Sequence, residues 1–211
     1  MKKTEWILLG VVVLGFAVGA WAYPQLPPTV TSHWDASGNP NGALPSFWGA
    51  FLFPIILAFI ALIFFIIPRV DPKRDNIEKF RKYYDYFALS FIIIFFWIFL
   101  LFLEWNLGQR FDFSVALLPA LCGLFWVVGG LLPHTKPNWT IGIRTPWTLS
   151  SEHVWKKTHQ AGEMVFKIAA VIGLMGVLFP PYGLWLLVGL VLVGALGLLI
   201  YSYILFEEER K

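Results

Sequence analysis

Ile92-Ile-Ile-Phe-Phe-Trp-Ile-Phe-Leu-Leu101 decides the fold class. Ten consecutive residues are apolar, so no face of the segment is left for water. A lipid-facing barrel strand would alternate apolar and polar residues over about ten positions. A segment that is apolar all round is instead a helix surrounded by lipid or by other apolar helices. Composition extends this reading to the whole chain. Of 211 residues, 58% are hydrophobic and 14% charged, against roughly 45–50% and about 25% in soluble domains. A spanning helix needs about 20 mostly apolar residues. Six runs qualify: Trp6–Ala22, Phe47–Ile67, Tyr84–Leu103, Phe113–Leu132, Met164–Phe179 and Leu184–Phe206. The expected architecture is an all-α polytopic bundle of six transmembrane helices.

Basic residues set the expected orientation, because cytoplasmic loops collect Lys and Arg. Lys2 and Lys3 precede the first run. Arg69, Lys73, Arg74, Lys79, Arg81 and Lys82 lie in or beside the second connection. Lys136, Arg144, Lys156 and Lys157 lie in or beside the fourth, and Arg210 and Lys211 follow the last run. The opposite side has only Arg110. Both termini are therefore expected in the cytoplasm and the protein in the cytoplasmic membrane. Met1-Lys-Lys before an apolar run ending Ala20-Trp-Ala22 also has the form of a secretory leader. Removing that run would break the sidedness, so it is expected to persist as the first helix. Cys122, the single cysteine, sits in an apolar run and reads as a small packing residue.

The connections differ in character. Tyr23–Ser46 has no Lys or Arg, and Pro24, Pro27 and Pro28 exclude a regular helix. Ser37-Gly-Asn-Pro-Asn-Gly42 is turn chemistry. Asp35, Ser37, Asn39 and Asn41 alternate like a calcium loop, but Pro40 replaces its glycine and no acidic residue closes it. An Asx-rich turn explains them better. Asp71–Tyr84 reads as a solvated turn or as a short surface helix with Ile77, Phe80 and Tyr84 on its lipid-facing side. Glu104, Arg110 and Asp112 are close enough for an outer ion pair. Gly15-Phe-Ala-Val-Gly19 is a helix-contact motif.

Four histidines without H-x-x-x-H spacing, and no C-x-x-C, argue against a dedicated zinc site. There is no G-x-S-x-G and no phosphate-binding glycine loop. No cofactor, metal or direct nucleic-acid contact is expected, and an enzyme is disfavoured. His159, Glu163 and Lys167 stand four residues apart, on one face of a helix. They read as an intramembrane polar face for a proton or cation, or as an ion-pair ladder with Lys167 snorkelling to the interface.

Between the fourth and fifth runs lies Asn138-Trp-Thr-Ile-Gly142-Ile-Arg144-Thr145-Pro146-Trp147-Thr-Leu149, followed by Val154-Trp155 and His159. Gly142 permits a tight backbone, and Pro146 pins the chain before Trp147. Ser150 or Ser151 caps a helix that carries Trp155 and His159 on one face toward the fifth span. Arg144 beside the tryptophans suits a carboxylate, a phosphate or an aromatic face. Equally, Trp139, Trp147 and Trp155 suit interfacial anchoring, with Arg144 on lipid headgroups or helix-end carbonyls.

These residues resemble the SdpI family of bacterial membrane proteins. The outer segment, Leu26-Pro27…Thr31-Ser-His33-Trp34-Asp35…Gly38-Asn-Pro-Asn-Gly42, is similar to the domain DUF1648. The resemblance implies a DUF1648-like region over 1–68 and an SdpI-like region over 69–211. It also implies a protein that protects its cell from a secreted membrane-active peptide toxin and captures a cytoplasmic DNA-binding autorepressor. On that footing His33, Trp34, Asp35 and Gly38 would recognise the toxin. Asn138, Gly142, Arg144, Thr145, Pro146, Trp147, Trp155 and His159 would signal or bind the regulator. Membrane lipids complete the expected partners. The alternative is a proton- or ion-coupled transporter, or an envelope-stress membrane protein, using Glu163 and Lys167.

Overall fold

The computed structural model describes residues 2–35 and 37–211; Met1, the head of the leader-like stretch, lies outside them. The helices are α1 (Lys3–Ala22), α2 (Ser46–Val70), α3 (Arg74–Lys79), α4 (Arg81–Asn106), α5 (Phe113–Leu131), α6 (Pro146–Ser150), α7 (Glu152–Leu174) and α8 (Pro180–Glu209). Six are long and apolar enough to cross a membrane, namely all but α3 and α6. The protein is a multi-pass membrane helix bundle. Of the six spans, all but α5 reach past their apolar runs, α7 by the most. α1 begins at Lys3, and α7 begins at Glu152, so the fifth span and the helix of the Trp155–His159 segment are one continuous rod.

Prolines inside α2 open its backbone to neighbouring helices. Pro68 has no N–H for the Phe64 carbonyl four residues back. The Tyr84 hydroxyl donates to that carbonyl at 2.8 Å instead. Pro54 likewise frees the Ala50 carbonyl, and Gly19 of α1 packs against it so closely that a Cβ would come within 2.3 Å of the oxygen. The Gly15–Gly19 motif thus joins α1 to α2 within one chain.

The segment after α1 is a β-hairpin, which the prolines and turn residues did not reveal. Strand β1 (Thr29–Trp34) pairs antiparallel with β2 (Pro40–Pro45), with irregular register around His33. β2 runs directly into α2. Asn106, at the last turn of α4, holds β1 as a neighbouring strand would. Its Oδ1 accepts the Thr31 N–H at 2.7 Å, and its Nδ2 donates to the Thr31 carbonyl at 3.0 Å. The ion pair expected among Glu104, Arg110 and Asp112 is absent among the described residues. Arg110 instead lies 3.9 Å over the Trp105 ring and donates to the Trp105 carbonyl at 3.1 Å.

At the other end, charge holds α1, α2 and α4 together. Glu5, almost fully buried, accepts from Arg69 at 2.7 Å and from Arg81 at 3.4 Å. Arg81 also pairs with Asp85 at 2.6 Å and Glu78 at 2.9 Å, and Lys2 reaches Glu78 at 2.9 Å. These contacts hold the Glu78 carboxyl below the usual range, chiefly through the hydrogen bond from Lys2. The connection at Asp71–Tyr84 is neither a solvated turn nor a lipid-facing helix. Ile77, Phe80 and Tyr84 are buried in the same core cluster as Leu8, Leu57 and Ile92.

Candidate functional site

The motif segment between α5 and α7 folds around one amide. Asn138 is fully buried. Its Oδ1 accepts the backbone N–H groups of Thr140 (2.9 Å) and Ile141 (2.6 Å), while its Nδ2 donates to the carbonyls of Lys136 and Ile141, both at 2.8 Å. One side chain therefore satisfies both donors and acceptors of a tight turn, which an apolar residue of equal size could not do.

Gly142 follows with φ of +123°, a conformation that disfavours any side chain. A Cβ there would come within 2.4 Å of the His159 Nε2. The next residue uses that nitrogen: the Ile143 N–H donates to His159 Nε2 at 2.9 Å, and His159 Nδ1 bonds the Trp155 carbonyl at 2.7 Å. A backbone N–H can only donate, so the ring is the neutral tautomer with its proton on Nδ1. Trp155 stacks on His159 with centroids 4.1 Å apart and donates its indole N–H to Thr135. Trp155 is buried and is no interfacial anchor.

Beyond the glycine, Thr145 and Thr148 form a reciprocal cap at the start of α6, with Pro146 as its first residue. The Thr148 hydroxyl donates to the Ile143 carbonyl at 2.8 Å, and Thr145 Oγ1 lies 3.0 Å from Ser202 Oγ on α8. Trp147 rests 5.1 Å from the Tyr203 ring. Ser151, not Ser150, caps α7 by accepting the Val154 N–H at 3.2 Å. The motif residues thus split into two groups. Asn138, Gly142, Thr145, Trp155 and His159 build the loop. Arg144 and Pro146 are exposed on it, with Trp147 half-buried.

The Arg144 guanidinium donates to the Trp139 carbonyl, and Trp139 is itself half-exposed. No carboxylate lies within ion-pair distance of Arg144 among the described residues. The loop therefore presents a cation and an aromatic ring outward on a rigid support, suited to an anionic or aromatic partner.

Three supports come from elsewhere in the chain, and sequence reasoning missed them. Asp71, at the end of α2, is buried, and its Oδ2 accepts the Trp139 N–H at 3.0 Å and the Thr140 hydroxyl at 2.8 Å. Its Oδ1 accepts the Lys73 N–H at 2.7 Å. Asn76 on α3 donates to the Pro137 carbonyl at 2.8 Å. Ser202 is the third. Ser202 is a lone polar residue within an apolar run, whereas Asp71 and Asn76 lie in a charged connection and carry no sequence signal of their own.

At the hairpin end the four expected recognition residues play different parts. His33 is exposed, with Nδ1 3.0 Å from Ser32 Oγ. Trp34 turns inward, stacked on Phe113 at 3.8 Å and edge-on to Trp105 and Phe102. Asp35 closes an Asx turn, accepting the N–H groups of Ser37 and Asn39, each at 2.9 Å. The Asn39 bond is the main reason its carboxyl lies below the usual range. Gly38 has φ of +80° and faces Asp112. A cavity of about 210 Å³ lies beneath, between Trp34, Phe53, Phe113 and Leu184.

The expected His159–Glu163–Lys167 ladder divides. Glu163 and Lys167 pair at 2.5 Å, whereas His159 is committed to the motif loop.

Residues 134–202 match the model of the SdpI/YfhL protein family, and residues 10–58 match that of DUF1648, a domain of unknown function. The first match contains the motif loop and α7, the second the hairpin. Immunity protein SdpI of Bacillus subtilis (strain 168) is 26% identical over 212 residues, covering 99% of this chain and 98% of that protein. No solved structure matches.

Proposed function

We propose, from the likeness of residues 134–202 to the SdpI/YfhL family and of residues 10–58 to DUF1648, that the chain is a membrane immunity protein of the SdpI family, protecting its cell from a secreted, membrane-active peptide toxin. The observation that carries this reading is the end-to-end likeness to Immunity protein SdpI, which leaves no large segment of either chain unmatched. Chain organisation supports it. The hairpin and the motif loop lie at opposite ends of the bundle, so one protein offers a surface on each side of the membrane.

In this reading the protein sits in the cytoplasmic membrane with both termini inside, as the basic residues favour. The hairpin around His33 and Asp35 meets the toxin from outside, and Trp34 seats it on the bundle. The Arg144 loop faces the cytoplasm and captures a DNA-binding autorepressor through its exposed guanidinium and Trp139. Asn138, Gly142, Trp155 and His159 hold that loop in shape. The finer boundary between a DUF1648-like region at 1–68 and an SdpI-like region at 69–211 belongs to the same proposal. Coupling between the two surfaces requires each ligand to favour the same bundle state.

The test is a challenge of a sensitive Gram-positive host with candidate peptide toxins, with and without this protein, while a dye records membrane potential. Retained potential only in expressing cells is the expected result. Equal collapse in cells shown to insert the protein would remove protection against those toxins.

A further inference from the structure

A groove of about 250 Å³ lies between α4, α5 and α7 at the motif-loop end of the bundle. It begins at Tyr83, in the first turn of α4, and runs past Tyr86 to Ser90, roughly 10 Å along the helix axis. Trp126 of α5 and Lys167 of α7 form its other walls, with apolar surface from Phe87 and Leu131. Tyr86 and Trp126 are about half-exposed, so the groove opens sideways to lipid rather than into the core.

An ionised group inside a span is costly unless something meets it. Lys167 is met in part by Glu163 at 2.5 Å, yet each side chain keeps about a third of its surface open, 30% and 34%. An ammonium has three donors, and the carboxylate uses one. The Lys167 Nζ also stands 5.4 Å from the centre of the Trp126 ring. Among the described residues, the hydroxyls of Tyr83, Tyr86 and Ser90 and the indole N–H of Trp126 make no hydrogen bond to protein. The groove therefore gathers a cation and four neutral groups able to donate, and the neighbouring Glu163 carboxylate is already paired with the lysine. That set calls for an anion with several acceptor oxygens, and the apolar walls call for hydrocarbon attached to it.

We propose that this groove binds the phosphate of an anionic glycerophospholipid, from the leaflet on the motif-loop side, on Lys167 and Trp126. Stacking fixes the mouth in advance: the Tyr83 ring lies 3.5 Å from that of His134 and nearly parallel to it. Charge-assisted bonds to phosphate supply affinity, and the lateral opening supplies access from the bilayer.

Native mass spectrometry of the full chain released from detergent, titrated with phosphatidylglycerol, tests this. The expected result is saturable binding that weakens roughly tenfold or more in Lys167→Gln, in line with the loss of one charged hydrogen bond. Lys167→Arg should retain it. Trp126→Leu, which leaves the ion pair intact, should weaken it as well, so a folding defect of one variant does not decide the matter. Diacylglycerol, which lacks the phosphate, should not compete. Equal affinity in wild type and Lys167→Gln, or equal binding of diacylglycerol, would overturn the site. Displacement of the lipid by millimolar inorganic phosphate would overturn the lipid as its occupant.

Discussion

The Asp71 carboxylate accepts the Thr140 hydroxyl at 2.8 Å, joining residues 69 positions apart. The same oxygen takes the Trp139 N–H, and the Trp139 carbonyl in turn takes the Arg144 guanidinium. Replacing Asp71 by Ala removes the acceptor of three donors, the Trp139 and Lys73 N–H groups and the Thr140 hydroxyl, at a cost of about 1–3 kcal/mol for a buried group left unpaired. Faster amide hydrogen exchange confined to residues 137–145 is the expected outcome, with α8 still protected. Unchanged exchange there would show that the loop holds its shape without Asp71.

Gly142→Ala should destabilise the protein more than Gly108→Ala. Both glycines have positive φ, so both substitutions carry a backbone penalty of about 1 kcal/mol or more. At Gly108 a Cβ meets nothing within 4 Å, whereas at Gly142 it collides with the His159 ring. Thermal unfolding of the two variants in detergent gives the comparison. Equal shifts would mean that the imidazole moves aside freely.

Asn106→Ala removes the acceptor and donor that clamp Thr31. Hairpin residues 29–34 should then become more open to protease, and protection against toxin should fall. Full protection with a demonstrably loosened hairpin would detach toxin resistance from hairpin order.

Arg144→Ala should leave insertion and thermal stability close to wild type, because the side chain is exposed. It should abolish signalling through a captured repressor. Unchanged output from a repressor-controlled reporter, at normal amounts of the variant, would sink that role.

Acid should open the hairpin tip. The Asn39 and Ser37 bonds hold the folded Asp35 carboxyl below its unfolded value. The stability it contributes is complete above the unfolded value, near pH 4, and is lost as pH falls through the lower, folded one. Amide protection at Ser37 and Asn39 should decline over that acidic window in wild type. It should lose that dependence in Asp35→Asn.

The spans were legible because an apolar run of span length has few other uses, and Ser151 and Gly142 were legible because caps and tight turns demand particular residues. The hairpin was not, because β1 is short and its neighbours Pro27 and Pro28 look irregular. Asp71, Asn76 and Asn106 escaped for another reason: each reads as a solvated polar residue until a partner 61 to 75 positions away is brought against it. Spacing correctly joined Glu163 to Lys167, but periodicity says nothing about a neighbouring loop, and the Ile143 N–H drew His159 out of the ladder.

α2 starts where β2 ends and finishes at the residue that holds the motif loop. One helix, opened in its own hydrogen bonding at Pro54 and Pro68, joins the two ends, so a shift at one surface is carried toward the other. If the hairpin meets the toxin as proposed, a substitution that tilts it shifts Asp71 as well, and a lineage adapting one face would accumulate compensating changes on the other.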